Sequence, residues 1–210
     1  MKITIVDRNQ PTAAVFEEQF ADVADVKVVC CSFEQLADFD CIVTAGNSFG
    51  LMDAGMDLAV VRYFGSIVME RIQKVILDEF LGEQPVGTSF LVPTDHALHP
   101  FVAHAPTMRI PMNINGTDNI YLACWSTLVA IHRHNANRAR KINSVAFPGL
   151  GTGTGGVHPK EASLQMRLAI EHYQSPPKYL NGTVAQRRHE RVHFGGKWGF
   201  EHPRPTGKCI

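Results

Sequence analysis

The sequence predicts an α/β protein in which short strands alternate with helices around one central sheet. Six short apolar segments rich in β-branched residues are each bounded by turn or polar residues. Four longer segments between or after them carry apolar residues at helical spacing. Because this alternation favours parallel strands covered by helices on both faces, we expect a three-layer α/β/α sandwich with a mixed central sheet of about six strands.

Each element has its own signal in the chain. The predicted strands are Lys2–Val6, Val26–Cys30, Cys41–Val43, Thr88–Val92, Phe101–His104 and Ser144–Phe147. The predicted helices are Pro11–Phe20, Asp57–Phe80, Thr117–Asn137 and about Pro159–Tyr173. Proline near the first turn marks the start of the first and fourth helices, and Thr117 or Asp118 is expected to cap the third.

Composition fits a single domain with a full core, since 45% of the 210 residues are apolar and 19% are charged. No apolar run reaches the ~18–20 residues of a membrane span, and the first residues are typical of a strand rather than a signal peptide. We therefore expect no membrane partner and a cytoplasmic location. Five cysteines with no C-x-x-C pair argue against a disulfide framework and a zinc knuckle, so they are interpreted as reduced thiols.

Charge is distributed unevenly along the chain. Residues 1–175 carry 13 Lys/Arg and 18 Asp/Glu, whereas residues 176–210 carry 7 and 2. The acidic body argues against a nucleic-acid partner. We predict a domain at 1–175 and a basic C-terminal extension at 176–210 after Ser175-Pro-Pro177, which either touches an acidic surface, including the body, or is a solvated tail.

A glycine-rich loop follows the last predicted strand of the body. It has five glycines within the eight residues 149–156 and is followed by a helix signal at His158-Pro159. Backbone N–H groups in such a loop approach an anion closely, and the positive end of the next helix favours negative charge, so the loop predicts a phosphate or diphosphate site. A simple connecting loop is the alternative.

Known phosphate motifs fit this loop incompletely. It lacks the Lys-Ser/Thr pair of a Walker A loop, which argues against an ordinary ATPase or GTPase. Gly151–Gly156 matches G-x-G-x-x-G, but too few residues follow it for a dinucleotide-binding Rossmann unit. The loop alone therefore predicts that an anionic group binds there, but it does not identify the ligand.

A second strand exit makes the prediction specific. The run Cys41-Ile-Val-Thr-Ala-Gly-Asn-Ser48 leads through a short loop into a helix that opens with Met-Asp57-Leu-Ala-Val60. This pattern resembles the macrodomain, an ADP-ribose-binding module with a strand ending in Asn-Ala-Ala-Asn-Ser, a glycine-rich loop and Val-Asp-x-Ala-Ile. Phe147–Val157 resembles its second motif, and Phe101-Val-Ala-His104 resembles its middle strand. The similarity spans roughly residues 26–173, and such proteins occur in bacteria and their phages.

The resemblance implies a ligand and roles for particular residues. Asn47 would bind the distal ribose, and Asp57 would direct a water molecule at that ribose in hydrolysis of an ADP-ribosyl ester. From the residues alone, Asn47 also fits a left-handed turn, and Asp57 also fits a first-turn carboxylate that stabilises the helix dipole. The remaining ligand-binding residues implied are Ser32, Phe33, Ala45, Gly46, Ser48, Gly55, Gly149, Gly151, Thr152, Gly153, Thr154, Gly155 and Gly156. Neither a metal nor a cofactor is expected.

The chain departs from the family pattern at three places. Met52-Asp53-Ala54-Gly55 replaces three glycines, which favours a non-catalytic ADP-ribose-binding module as the alternative function. Gly155 replaces an aromatic residue, so the site should be more open. The acidic residue that selects adenine aligns with Ser32 in Cys31-Ser32-Phe33-Glu34, where Ser32 would accept a hydrogen bond and Phe33 would offer a stacking face.

The C-terminal extension contains a competing motif. His189-Glu190-Arg191-Val192-His193 satisfies H-E-x-x-H, which on a helix places two imidazoles on one face for zinc. This makes a zinc-dependent peptidase a remote alternative. The neighbouring Arg187-Arg188 would oppose a divalent cation and favour a charged helix instead.

Overall fold

A computed structural model describes residues 1–194 and 197–198. The strands are β1 Lys2–Asp7, β2 Val26–Cys30, β3 Cys41–Thr44, β4 Phe90–Pro93, β5 Phe101–His104, β6 Ser144–Pro148, β7 His193–Phe194 and β8 Lys197–Trp198. The helices are α1 Gln10–Phe20, α2 Gly55–Phe64, α3 Ile67–Phe80, α4 Asn119–Asn137, α5 Pro159–Gln174 and α6 Gly182–Glu190. A 3₁₀ turn occupies Phe33–Gln35.

The main sheet has six strands in the order β2-β1-β6-β3-β5-β4. All neighbouring pairs are parallel except β4 with β5, which is antiparallel and forms one edge. The predicted mixed, largely parallel sheet is therefore confirmed. β7 and β8 form a separate two-stranded ribbon.

The core has one layer on each face of this sheet. Alternating strand residues such as Val43 and Phe147 pack with α1, α4 and α5, whereas Ile42 and Ala146 pack with α2 and α3. Since successive side chains of a strand point to opposite faces, buried residues at every position of β3 and β6 require helices on both sides. The three-layer α/β/α sandwich follows.

Helix boundaries mostly follow their local signals. The Asn9 side chain caps α1 by accepting the Thr12 N–H, and the His158 ring caps α5 by accepting the Lys160 N–H. Asp118 occupies the cap position of α4, with no side-chain capping bond.

The prediction of one helix over Asp57–Phe80 is wrong. Gly65 has φ +90°, a conformation that cannot continue a right-handed helix, so α2 ends there and α3 starts two residues later. The apolar spacing persists across the break because both helices bury residues on the same face of the sheet.

The C-terminal segment returns to the body after α5. Arg188 donates to the His172 carbonyl at 3.2 Å and lies 5.2 Å from the centre of the Trp125 ring. Arg191 forms an ion pair with Glu171 at 2.5 Å, and Val192 is buried. Basic side chains of the extension therefore touch α4 and α5. No helix in residues 1–194 is long and apolar enough to cross a membrane.

Candidate functional site

The candidate site is a cleft at the carboxyl ends of β3, β5 and β6. Because these three strands are parallel neighbours, their exits open at the same edge of the sheet. One wall is the glycine loop after β6, and the other is the connection from β3 into α2. The cleft is lined by Ala45, Gly46, Asn47, Leu51, Asp53, Ala54, Gly55, Met56, Asp57, Thr107, Met108, Pro111, Pro148, Gly149, Gly151, Gly153, Thr154 and Gly155.

The glycine loop is shaped by close backbone contacts. A β-carbon on Gly151 would lie 2.6 Å from Cδ1 of Ile120, and one on Gly155 would lie 2.6 Å from the Gly151 carbonyl oxygen. Gly151 also has φ +73°. These two positions therefore require glycine, and the loop is more than a connection of arbitrary sequence.

Several backbone donors of this loop remain available to a ligand. The Thr152, Gly156 and Val157 N–H groups bond to carbonyls within the loop. Within the described part of the chain, the N–H groups of Gly151, Gly153, Thr154 and Gly155 have no hydrogen-bond acceptor. Concave backbone with unpaired N–H groups at a strand exit is an arrangement suited to an anion.

Asn47 holds the opposite wall in place. Its Oδ1 accepts the N–H groups of Phe49 and Leu51, and its Nδ2 donates to the Leu51 carbonyl at 2.8 Å. An amide nitrogen carries two hydrogens, so one Nδ2 hydrogen remains for a ligand. The left-handed turn considered for Asn47 is wrong, since among described non-glycine residues only Asp25, Leu81 and Asp95 have positive φ.

Asp57 lies in the first turn of α2 and is 7% exposed. Its Oδ1 has no hydrogen-bond partner among the described residues. Burial, followed by the negative charge of Asp53, raises the pKa of the Asp57 carboxyl to about 7. A carboxyl with this pKa changes protonation state near neutral pH.

The structure brings together most of the residues predicted for the site. The predicted residues that line the cleft are Ala45, Gly46, Asn47, Gly55, Asp57, Gly149, Gly151, Gly153, Thr154 and Gly155. Asn47 and Asp57 lie on the wall opposite the glycine loop. The two motifs, about one hundred residues apart in sequence, therefore form one cleft.

Three predicted residues shape the cleft walls without lining the cleft. Ser48 is buried, and its backbone joins Met108, Arg109 and Gln84. The Thr152 hydroxyl donates to the Gly149 carbonyl, and the Gly156 N–H donates to the Gly153 carbonyl. These groups hold the two loops in position.

Ser32 and Phe33 are also outside the lined cleft. Phe33 is 3% exposed and packs edge-on against Tyr63 in the core under α2. Its ring is therefore used for packing, and the expectation that it offers a stacking face is wrong. The backbone N–H of Ser32 bonds to the Gln35 side chain of the same 3₁₀ turn.

Sequence reasoning missed the contribution of the β5 exit. Thr107, Met108 and Pro111 line the cleft because the segment after β5 continues alongside the segment after β3, with the Thr107 N–H bonded to the Gly46 carbonyl. Asp53, Ala54 and Met56 also line the cleft. Their places in the loop and at the start of the helix were evident from the sequence, but its motifs did not predict them as site residues. The parallel pairing of β5 with β3, which the structure shows, brings the β5 exit to the cleft.

The H-E-x-x-H motif does not lie on one helix. Helix α6 ends at Glu190, and His193 belongs to β7. The i,i+4 geometry that would place both imidazoles on one helical face is absent, which contradicts the zinc-peptidase alternative. Among the described residues, no group of three or more His, Cys, Asp or Glu side chains is placed to hold a metal ion.

The fold and cleft define a three-layer α/β domain with a glycine-rich loop at the strand exits. The Macro domain family model matches residues 43–166, and the chain belongs to the Macro domain family. Strands β1 and β2 precede the matched region.

Two relatives extend the sequence match. An uncharacterized protein of Aquifex aeolicus is 34% identical over 161 residues, which cover 76% of this chain and 88% of that protein. An uncharacterized protein of Aeropyrum pernix is 28% identical over 142 residues, which cover 67% of this chain and 69% of that protein.

Solved structures agree on the fold. A mutant Oceanobacillus iheyensis macrodomain with ADPR has a TM-score of 0.57 at 20% identity, covering 69% of this chain and 74% of that one. The macrodomain of Mycobacterium tuberculosis DarG has a TM-score of 0.55 at 23% identity, and the match covers 65% of this chain and 84% of that one.

Proposed function

We propose that the protein binds ADP-ribose or a related NAD-derived metabolite in this cleft. The observation that carries the proposal is the set of four unpaired backbone N–H groups in the glycine loop, at Gly151, Gly153, Thr154 and Gly155. A diphosphate is the ligand group that such a loop favours. Macrodomain structures that contain ADPR and ADP support this choice.

The opposite wall supports a place for the distal ribose. Asn47 retains one Nδ2 hydrogen for a ribose hydroxyl, and the Asp57 carboxyl lies on the same wall. Structures of the Oceanobacillus iheyensis macrodomain have been solved with an asparagine or an aspartate replaced by alanine. Those two residues are ten positions apart, as are Asn47 and Asp57.

We further propose that the protein hydrolyses ADP-ribosyl esters, either on proteins or in small molecules. Asp57 accepts a proton from water while the water oxygen bonds to the anomeric carbon of the distal ribose. The bond from that carbon to the ester oxygen breaks, and the carboxylate leaves with the bonding electrons. The glycine loop holds the diphosphate, which fixes the position of the anomeric carbon relative to Asp57.

A non-catalytic ADP-ribose-binding module is the second candidate. The specific observation in its favour is the segment that replaces the family glycines. Met52 is buried in the core, and Asp53 and Ala54 line the cleft where bare backbone would otherwise face the ribose. The Asp53 carboxylate also opposes negative charge nearby, including that of Asp57.

The domain division and location belong to the same proposal. We take residues 1–175 as the macrodomain and 176–210 as a basic extension. The contacts of Arg188 and Arg191 with the helices of the body support the prediction that this extension touches the body. We also propose a cytoplasmic location. It is supported by the free thiols of Cys30, Cys31, Cys41 and Cys124, because a reducing compartment maintains thiols in this state.

Calorimetry with ADP-ribose, ADP and AMP tests the binding proposal. We expect micromolar affinity for ADP-ribose, about −8 kcal/mol, with weaker binding of ADP and much weaker binding of AMP, which lacks the diphosphate. Absence of binding at millimolar ADP-ribose would contradict it. A hydrolysis assay on ester-linked ADP-ribosylated protein then separates the enzyme from the binding module.

A further inference from the structure

Three buried side-chain atoms near the cleft have no hydrogen-bond partner. They are Oδ1 of Asp57, Nε2 of His104 and Oγ1 of Thr107, and no others of this kind occur among the described residues. Asp57 and Thr107 line the cleft, and His104 lies directly beneath Gly46. Unpaired buried polar atoms are unfavourable, so their concentration at one place points to a role for these groups.

The hydrogen bonds of His104 determine which ring nitrogen carries the proton. Its Nδ1 lies 2.6 Å from Oε1 of Gln84. The Gln84 amide is oriented by its Nε2, which donates to the carbonyl and hydroxyl oxygens of Thr88. Since Oε1 only accepts, Nδ1 of His104 must donate, and Nε2 of the neutral ring carries a free lone pair.

The bare α-carbon of Gly46 leaves space beside both the imidazole of His104 and the carboxyl of Asp57. A β-carbon at Gly46 would lie 2.5 Å from Nε2 of His104 and 3.2 Å from Oδ2 of Asp57. Both side chains therefore pack against the same bare α-carbon. The carboxyl oxygen beside Gly46 is Oδ2, and Nε2 of His104 has no partner in the structure, so a proton on Oδ2 would supply the donor that this free acceptor lacks.

We propose that His104 is a positioning residue for Asp57, and that its Nε2 accepts a hydrogen bond from the proton that the Asp57 carboxyl carries. The catalytic meaning of this contact rests on the proposed hydrolysis. The proton that Asp57 removes from water stays on its carboxyl, held toward His104, and passes to the leaving carboxylate or to solvent. The imidazole remains neutral throughout, and Gln84 keeps its tautomer fixed.

The surrounding electrostatics support a neutral pair. Burial lowers the pKa of His104 to about 3, so its ring is uncharged at neutral pH. The charged group that acts on Asp57 is Asp53, which favours the protonated carboxyl. Glu83, next to Gln84, is paired with Arg109 at 2.5 Å, and Phe90 packs 5.6 Å from the His104 ring. A hydrogen bond to the protonated carboxyl acts in the same direction as Asp53.

The test follows the carboxyl carbon of Asp57 by NMR across pH 4–9 in the full chain, which requires no turnover. His104→Leu removes the acceptor, and His104→Gln offers an amide oxygen near the position of Nε2. We expect the midpoint of the Asp57 titration to fall by about one pH unit in the leucine variant and to stay close to wild type in the glutamine variant. The pH limb of any hydrolysis should move in the same way.

Two results would overturn the proposal. One is an unchanged midpoint in His104→Leu, and the other is an equal shift in both variants, which indicates a packing role. If the leucine variant does not fold, ¹⁵N shifts of wild-type His104 decide the matter, because a proton on Nε2 contradicts the proposal and a proton on Nδ1 supports it. Failure of ADP-ribose binding or hydrolysis in the wild type would instead refute the proposed function and leave the titration result intact.

Discussion

The two walls of the cleft present different kinds of polar group. On the glycine side, the four available N–H groups belong to the backbone, and the loop residues 149–156 contain no ionisable side chain. On the opposite side, the polar atoms belong to side chains, and the central one is a buried carboxyl whose pKa is raised to about 7.

This difference separates binding from chemistry. Backbone donors have a fixed charge distribution and no titration, so they hold an anion equally well across the physiological pH range. A buried carboxyl has two states of similar free energy near pH 7, and its environment decides between them. We expect changes on the glycine side to alter affinity and changes on the carboxyl side to alter turnover and pH dependence.

The largest effect should come from Asp57→Ala. If Asp57 accepts the proton of the attacking water, turnover of an ADP-ribosyl ester should fall by roughly 10²-fold or more, while ADP-ribose affinity changes only a few-fold. Single-turnover kinetics and calorimetry measure the two effects. Asp78→Ala, which removes an exposed carboxylate paired with Lys74, is the matched control. Equal turnover in wild type and Asp57→Ala would show that the carboxyl has no catalytic role.

Asp57→Asn should change how stability depends on pH. The folded-state pKa of about 7 is above the usual aspartate value of 3.8, so the wild type loses stability as pH rises between these values. Relative to wild type, the asparagine variant should therefore gain on the order of 4 kcal/mol from pH 4 to pH 8. Urea unfolding at several pH values measures this. A constant difference across that range would mean that the carboxyl titrates normally.

On the glycine side, Gly153→Val should weaken ADP-ribose binding at least tenfold, or ~1.4 kcal/mol, with the fold intact. Gly153 lines the cleft, and a β-carbon there meets no atom within 4 Å, so the valine fits the protein and blocks the ligand. Gly182→Val in α6, also unobstructed, is the control. Wild-type affinity of Gly153→Val in calorimetry would show that the loop only connects two elements of the fold.

The smallest effect should come from Thr154→Val. Thr154 lines the cleft, and its hydroxyl would add one donor to the backbone groups around the diphosphate. Loss of one hydrogen bond predicts a reduction in affinity of about three- to fivefold, with turnover at saturation unchanged. Thr154→Ser should restore wild-type binding. A serine variant as weak as valine would assign the effect to packing of the methyl group.

The glycine wall could be predicted from sequence more completely than the carboxyl wall. A cluster of glycines after an apolar strand indicates the local backbone geometry directly, because only residues without a side chain allow such close approach of the backbone. The position of Asp57 beside the cleft was also predictable from its motif. Its altered pKa was not, since burial under the β3 loop depends on tertiary packing.

Dependence on tertiary structure also explains why other predictions from the sequence were wrong or incomplete. Phe33 has a ring suited to stacking on a base, but the core beneath α2 buries it. The apolar spacing of α2 and α3 is continuous, so periodicity alone did not reveal the break at Gly65. His104 was visible as part of a strand, whereas its contact with Gly46 depends on strand pairing that brings β3 and β5 together.

The position of β6 in the sheet has a consequence for synthesis on the ribosome. β6 pairs with β1 on one side and β3 on the other, although β1 starts at residue 2 and β6 at residue 144. Until β6 has emerged, β1–β2 and β3–β5–β4 form two separate groups of strands, each with an unpaired edge. Such edges are open to wrong partners, and long-range parallel pairing is slow to form. The strand that carries the glycine loop thus joins the sheet last, and the cleft forms in the same step that closes the two edges.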